Sequence, residues 1–300
     1  MIEKMTEQIP EFKIKETLIE KPLFKLHNIE DIITNNIFLV NYKKNEPKKE
    51  QNFPVFNTVD IIYYDPLLKK ATTLAIKTPD NISTYGFDQA TYGVKKILKV
   101  DHSNTKNWQM TLCIKSKFDT HLTEKQKEER REWIKKFEEI SGRIKYLIFK
   151  NKMELGSPYN TQRFTEELIN SMYRDFWSPK KTENETDENL EYIDRYLTAK
   201  ISVYRNEGEN NLLSSIIYES LPGKKIKKFT YEDISGHYFQ KRAEITCVLE
   251  ISSIFVTGGK VSPRFNLKQI KYKPQNERET ELLLGIDDVP EETEIDLSDL

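Results

Sequence analysis

The sequence has few cysteines, few histidines and no long apolar run. Two cysteines and four histidines occur in 300 residues without CxxC or HxxxH spacing, so we predict no metal site. Cys113 and Cys247 lie in alternating apolar runs, which predicts buried thiols. No segment approaches the roughly 20 apolar residues that span a bilayer, so no membrane contact is expected. The N-terminal residues lack the apolar region of a secretory signal, which predicts an intracellular protein.

Sequence motifs for nucleotide binding and for hydrolysis are also absent. The chain contains no P-loop, no GxGxxG, no nucleophile elbow and no H-E-x-x-H. Because 32% of the residues are charged, a carboxylate pair such as Glu294 and Asp296 is expected by chance. We therefore predict no catalytic residue and no cofactor.

Charge, in contrast, is abundant and unevenly distributed. The formal net charge is only −1, but residues 275–300 contain ten acidic residues and one basic residue, Arg278. Of the 47 basic and 48 acidic residues in the chain, 46 and 38 therefore lie in residues 1–274, a net of +8. We predict a disordered acidic tail at 275–300 and a basic body that binds a polyanion.

The hydropathy pattern divides the rest of the chain in two. Residues 1–52 form a charged arm and linker with one helix or strand, and residues 53–274 form a single domain. Within that domain, alternation of apolar and polar residues predicts strands, with a break near 80–86. The predicted strands are 55–65, 69–80, 93–102, 107–118, 197–204, 212–220, 243–256 and 264–273. Gly258 and Gly259 predict a hairpin between the last two.

Two helices are predicted between the β-rich blocks. Thr123 and Gln126 form a capping-box pattern, and apolar residues then recur three and four apart, which predicts a helix over 123–150. A second helix is predicted over 161–177, where Phe164, Leu168, Met172 and Phe176 lie four apart. The order of β-rich, helical and β-rich segments favours an antiparallel α+β fold.

Basic residues alternate with aromatic ones near the end of the body. Residues 222–274 contain 11 Lys and Arg against 4 Asp and Glu, a composition typical of a groove for single-stranded nucleic acid. Lys95 and Lys96 form a second basic patch. The candidate nucleic-acid-binding residues are Lys95, Lys96, Lys224, Lys225, Lys227, Lys228, Phe229, Lys241, Arg242, Phe255, Lys260, Arg264, Phe265, Lys268 and Lys271.

The alternative for these residues is ordinary packing. One face of an alternating strand is core, so about half of the aromatic rings are expected inside. Ile245, Cys247, Leu249 and Ile251 share one phase and are predicted to be core. In 264–273 the apolar residues change phase, so the pattern does not decide which face is exposed.

The acidic tail ends in spaced hydrophobic residues, Ile295, Leu297 and Leu300. One interpretation is a disordered segment that keeps the protein soluble. The other is a tail that covers the basic groove and binds replication proteins through its apolar residues when nucleic acid displaces it.

Four segments resemble the single-stranded DNA-binding proteins of nucleocytoplasmic large DNA viruses, including giant viruses. The segments are 73–87, with Thr78, Pro79, Tyr85 and Gly86; 107–118; 197–204; and 242–272, with Phe255, Gln269 and Lys271. The resemblance covers roughly residues 70–274. It implies an OB-like β-barrel with helical insertions, sequence-independent binding of single-stranded DNA, no catalysis, and a role in the host cytoplasm.

The functional hypothesis is therefore binding of single-stranded DNA, or RNA, in replication, recombination or repair of a virus or cytoplasmic element. The alternative is a non-catalytic scaffolding protein of the virion or replication compartment. A weaker third hypothesis is a metal-dependent nuclease.

Overall fold

The computed structural model describes residues 22–44, 56–89, 107–115, 122–151, 165–174, 176–177, 195–205, 211–219, 227–230, 243–257 and 260–273. These residues form mainly β-structure with two α-helices, α1 Glu124–Lys150 and α2 Glu166–Met172. The strands are β1 Leu26–His27, β2 Ile37–Lys44, β3 Asn57–Asp65, β4 Lys70–Thr72, β5 Ala75–Lys77, β6 Ile82–Gln89, β7 Asn107–Lys115, β8 Arg195–Arg205, β9 Asn211–Leu213, β10 Ile216–Glu219, β11 Lys227–Lys228, β12 Glu244–Thr257 and β13 Lys260–Lys273.

The long predicted helix is confirmed. Thr123 Oγ1 accepts from the backbone N–H of Gln126, and the Gln126 side chain accepts from the backbone N–H of Thr123, so both bonds of the capping box form. The apolar face of α1 is buried, with Trp133 and Phe137 rings stacked 4.7 Å apart. Trp133 Nε1 donates to the carbonyl of Lys77 at 2.9 Å, which fixes the helix against the end of β5.

The second helix is shorter than the sequence predicts. α2 begins after Thr165, whose hydroxyl accepts from the backbone N–H of Leu168, and it ends at Met172. The chain leaves the helix because Tyr173 forms a parallel β-bridge with Val261. The prediction of helix is therefore wrong for residues 173–174 and 176–177, and residues 161–164 and 175 lie outside the described residues.

Several strand boundaries also differ from the prediction. The predicted break at 80–86 is confirmed at Asp80 and Asn81, which form a turn. It is wrong from Ile82 onward, because β6 runs through Ile82–Gln89 and pairs with β7. Residues 69–80 form two short strands, β4 paired with β3 and β5 paired with β12. Residues 212–220 likewise divide into β9, paired with β8, and β10, paired with β13. In both cases a single alternating segment of the sequence forms two short strands that pair with different partner strands.

Five strands pair in a closed circuit. β12 pairs with β6, β6 with β7, β7 with β8, β8 with β13, and β13 with β12. The β8–β13 contact is parallel, and the other four are antiparallel. β5 and β3 pair with β12 outside this circuit, and β2 pairs with β3. The α+β class predicted from the element order is confirmed.

The described part of the N-terminal arm belongs to the same core. β2 pairs with β3 along most of its length, and Ile29, Ile32, Ile37 and Leu39 join the main hydrophobic cluster. Two short 3-10 turns, Ile29–Asp31 and Thr34–Asn36, lead into β2. Residues 22–44 therefore pack against the domain rather than apart from it.

The predicted burial of the two thiols is confirmed. Cys113 and Cys247 form no disulfide, and burial raises the pKa of Cys247 well above its usual range. Within the described ranges, no helix is long and apolar enough to cross a membrane.

Candidate nucleic-acid interface

The β12–β13 hairpin contains an irregularity that decides where Phe255 lies. Up to Ile251 the odd-numbered residues of β12 are buried, as predicted for Ile245, Cys247 and Leu249. The register then shifts between Ile251 and Ser253, which leaves Ser252 as an extra residue. Beyond this bulge, Ile254 is buried and Phe255 is half-exposed. The bulge therefore turns an aromatic ring out of the core phase.

A second bulge explains the phase change in β13. Val248 pairs with Gln269 and Leu249 pairs with Leu267, so Lys268 is the extra residue of β13. Phe265 and Leu267 before the bulge are buried, and Ile270 and Tyr272 after it are buried too. Lys268 is half-exposed between them. This resolves the ambiguity that the sequence left open.

Phe255, Arg264 and Asn266 lie on one face of the sheet, which we call the outer face. Phe255 and Phe56 form a tilted aromatic pair with ring centroids 5.5 Å apart. The guanidinium carbon of Arg264 lies 5.5 Å from the centroid of the Phe255 ring, within cation–π range. No carboxylate of the described residues forms an ion pair with Arg264. Two half-exposed rings and an arginine thus form a mixed aromatic and cationic surface.

Strand register places further basic residues on the outer face. Ser262, Phe255, Thr58 and Lys43 are successive partners across β13, β12, β3 and β2. Partners in adjacent strands share a face, so Lys43 lies on the same side as Phe255. Asn266 is likewise the partner of Lys200 in β8. From Lys43 to Lys200 the outer face spans four strand spacings, about 19 Å.

Charge on this part of the outer face is predominantly positive. Five basic residues and two acidic residues give a net charge of +3. Lys43 Nζ lies 3.6 Å from Asp60 Oδ2, and Lys268 Nζ lies 3.0 Å from Glu250 Oε2. These ion pairs hold each acidic residue beside a lysine. The basic residues are Lys43, Lys200, Lys260, Arg264 and Lys268, and the acidic residues are Asp60 and Glu250.

The same face continues along β13 to two more predicted residues. Lys271 is the partner of Tyr218 in β10, and Lys228 of β11 is the next partner of Tyr218. Lys228 and Lys271 are both exposed. Lys227 is the neighbouring residue in β11 and pairs with Glu219. The structure therefore brings Lys228, Lys260, Arg264, Lys268 and Lys271 to one face together with Phe255.

Two aromatic residues that were predicted to bind nucleic acid lie in the core instead of on the outer face. Phe265 is 6% exposed and contacts Phe137 and Phe176 at 6.0 and 4.9 Å between ring centroids. Phe229 is also 6% exposed and packs edge-on against Tyr272. Both rings are therefore buried and too little exposed to stack on a base. As a correction to the sequence-based assignment, we exclude both from the interface.

Other predicted residues lie outside the described part of the chain. They are Lys95, Lys96, Lys224, Lys225, Lys241 and Arg242, and the tail residues Ile295, Leu297 and Leu300.

Three aromatic or basic residues of the outer face were not predicted from the sequence. Phe56 precedes β3 and shares the polar phase of Thr58 and Asp60, which is the signal for an exposed aromatic ring. Lys200 lies between Ala199 and Ile201, both of which are buried, and the same alternation indicates that it faces away from the core. The alternation does not predict the position of Lys43. The pairing register of β2 shifts between Val40 and Lys43, where Asn41 has a positive φ of 54°.

Comparisons with known proteins find distant similarity only. No protein-family model matches the chain, and no curated protein matches it. A solved structure, the single-stranded DNA-binding protein from bacteriophage Enc34 in complex with ssDNA, is 11% identical, with a TM-score of 0.29, and covers 77% of this chain and 96% of that chain. Its C-terminal truncation is 11% identical, with a TM-score of 0.32, and covers 79% and 96%. Likeness at this level does not establish a family, so the resemblance to the viral proteins stays a prediction.

Proposed function

We propose that the chain binds single-stranded DNA, without sequence preference, on the outer face of β2, β3, β12, β13 and β8. One observation carries the proposal: Phe56 and Phe255 form a half-exposed aromatic pair, with Arg264 over Phe255 and no described carboxylate paired to that arginine. Single-strand binders combine aromatic rings that stack on unpaired bases with cations that contact phosphates. Each stacked base contributes about 1–3 kcal/mol, so the two rings contribute more than any one lysine.

The arrangement favours single strands over duplex. Bases inside a duplex are stacked on each other, and their faces are not accessible to protein side chains. Aromatic rings exposed on a sheet therefore contact the faces of bases only after the bases are unpaired. Stacking also tolerates any base, since every base has a π-face. We therefore expect little sequence preference and weaker binding to duplex DNA.

We also propose that the five-strand circuit is an OB-like barrel. OB-folds are five-stranded Greek-key barrels that bind oligonucleotides on an exposed strand face. The closed pairing order and the single parallel contact between β8 and β13 support this proposal. The role we propose is non-catalytic, in DNA replication, recombination or repair of a virus or a cytoplasmic element in the host cytoplasm.

The acidic tail is proposed to bind replication proteins through Ile295, Leu297 and Leu300, and to compete with nucleic acid for the basic body. Its ten acidic residues against one basic residue support this competition, since the body carries a net charge of +8.

The direct test is fluorescence anisotropy with labelled oligo(dT) and a matched duplex. We expect tighter binding to the single strand and loss of affinity as salt increases, because phosphate contacts release counterions. Arg264→Gln should weaken binding. The matched control is Lys125→Gln, which removes the same charge from an 86% exposed side chain of α1. This helix contacts the opposite side of β13, where Phe137 packs against Phe265. Equal effects of the two substitutions would contradict the proposed location.

The alternative function is a scaffolding protein of the virion or replication compartment. The β3–β4 turn favours it, because Leu67 is 86% exposed and Leu68 is 42% exposed. Contiguous exposed apolar surface marks contacts with another protein, and these two leucines are adjacent. This alternative predicts a stable oligomer in light scattering without nucleic acid, and no affinity for oligo(dT).

A further inference from the structure

A polar network links the interior of the β12–β13 hairpin to Arg264. Asn266 Nδ2 donates to Glu250 Oε2 at 3.1 Å and to Ser252 Oγ at 2.9 Å. Asn266 Oδ1 accepts from Arg264 Nε at 3.2 Å. The network thus runs from a carboxylate that is 7% exposed to the guanidinium that lies over Phe255.

The hydrogen-bonding groups of the Asn266 side chain determine how its amide is oriented. The amide nitrogen of an asparagine donates two hydrogen bonds, and its oxygen only accepts. Glu250 and Ser252 provide the two acceptors, so the oxygen must point to the donor, Arg264 Nε. The Ser252 hydroxyl also donates to the Arg264 carbonyl at 3.5 Å, which joins the backbone of Arg264 to the same group. Ser252 reaches both because it is the extra residue of the bulge.

Lys268 completes the charge balance of the network. Glu250 is almost fully buried, and a buried carboxylate needs a paired cation. Lys268 Nζ provides it at 3.0 Å. Among the described residues, Asn266 is the hydrogen-bonded link between Glu250 and Arg264. The Nη groups of Arg264 form no hydrogen bond to a described residue.

We infer that Phe255 and Arg264 form a subsite for one nucleotide of the strand, and that Asn266 is the positioning residue of this subsite. The inference rests on the proposed function and assigns the parts of its site. The base stacks at the Phe56–Phe255 pair, and the following or preceding phosphate binds the Nη groups of Arg264. Because Nε is occupied by Asn266, the guanidinium is held over the ring before the strand arrives.

This arrangement predicts different effects on affinity and on its salt dependence for substitutions of Asn266 and of Arg264. An arginine that is already ordered loses less side-chain entropy on binding, so removing its support weakens affinity without removing its charge. Asn266→Ala should weaken oligo(dT) binding roughly two- to tenfold. The slope of log K against log salt should stay unchanged, because Arg264 still reaches a phosphate. Arg264→Gln should weaken binding and reduce the slope by about 0.7.

A double-mutant cycle tests the inference. If Asn266 acts through Arg264, the Asn266→Ala/Arg264→Gln protein should bind no more weakly than Arg264→Gln alone. Additive losses would overturn the inference, because Asn266 would then act independently. If Asn266→Ala fails to fold, Asn266→Thr, which suits a strand, takes its place in the same cycle.

A second measurement needs no nucleic acid. In the NMR spectrum of the free protein, the Nε–H signal of Arg264, identified by its loss in Arg264→Gln, should be protected from solvent exchange. Asn266→Ala should remove that protection, and an unprotected wild-type signal would overturn the inference. Absence of oligo(dT) binding by the wild-type protein, with the signal protected, would instead refute the proposed function.

Discussion

Replacement of Phe255 by alanine separates a binding role from a packing role. Phe255 is half-exposed on the outer face, whereas Ile254 beside it is fully buried. Loss of one stacked base costs about 1–3 kcal/mol, which is a roughly 5- to 150-fold loss of affinity for oligo(dT). Phe255→Ala also removes the contact with Phe56, which contributes about 0.5–1.5 kcal/mol to folding stability.

Ile254→Val is the matched control for this prediction. It deletes one methylene from the core and should reduce folding stability by about 0.5–1.5 kcal/mol, a loss similar to that of Phe255→Ala. Its side chain lies on the opposite face of the same strand, so affinity should not change. Chemical denaturation measures the stability of both proteins, and fluorescence anisotropy measures their affinity. Equal affinity losses, or no loss in Phe255→Ala, would refute the assignment of Phe255 to the interface.

Three further predictions concern other parts of the chain. Deletion of residues 280–300 should tighten oligo(dT) binding and make it less salt-sensitive at low ionic strength, and unchanged affinity in anisotropy would exclude competition by the tail. Thr123→Ala should reduce folding stability by about 0.5–2 kcal/mol in denaturant titration, with affinity unchanged, since it removes the cap of α1. Burial and the nearby Lys25 lower the pKa of His27, so the unfolded chain binds more protons as the pH falls. Stability should therefore decrease as the pH falls through about 6.5, and this step should be absent in His27→Gln.

Local signals were sufficient to predict much of the fold. The helix α1 begins at its predicted cap because Thr123 and Gln126 satisfy each other within one turn. The core phase of Ile245, Cys247 and Leu249 follows from simple alternation. In these two segments, residues that are close together in the sequence determine the structure, so the sequence pattern is enough to predict it.

The interface was harder to predict because two bulges determine it. The extra residues Ser252 and Lys268 shift the phase of their strands, and nothing in the adjacent sequence marks either one. The shift at Ser252 turns Phe255 outward, while Phe265, in the partner strand, points inward to Phe137. From the composition of the segment, both phenylalanines were predicted to bind nucleic acid. Only the pairing of β12 with β13 distinguishes them.

The sequence also does not show which residues from distant parts of the chain lie on the same face of the sheet. Lys43 and Lys200 are far apart in the chain, and both reach the outer face through strand pairing. The ion pairs of Lys43 with Asp60 and of Lys268 with Glu250 are likewise visible only in three dimensions.

The salt dependence of oligo(dT) binding shows whether the phosphates of the strand contact the outer face. Lys260 and Arg264 lie on the outer face beside Phe255, and each phosphate contact contributes about 0.7 to the slope of log K against log salt. Between about 50 and 300 mM salt, we expect Lys260→Gln/Arg264→Gln to reduce this slope by about 1.4 relative to wild type. Binding that is independent of salt, or a slope that the double substitution leaves unchanged, would contradict this expectation.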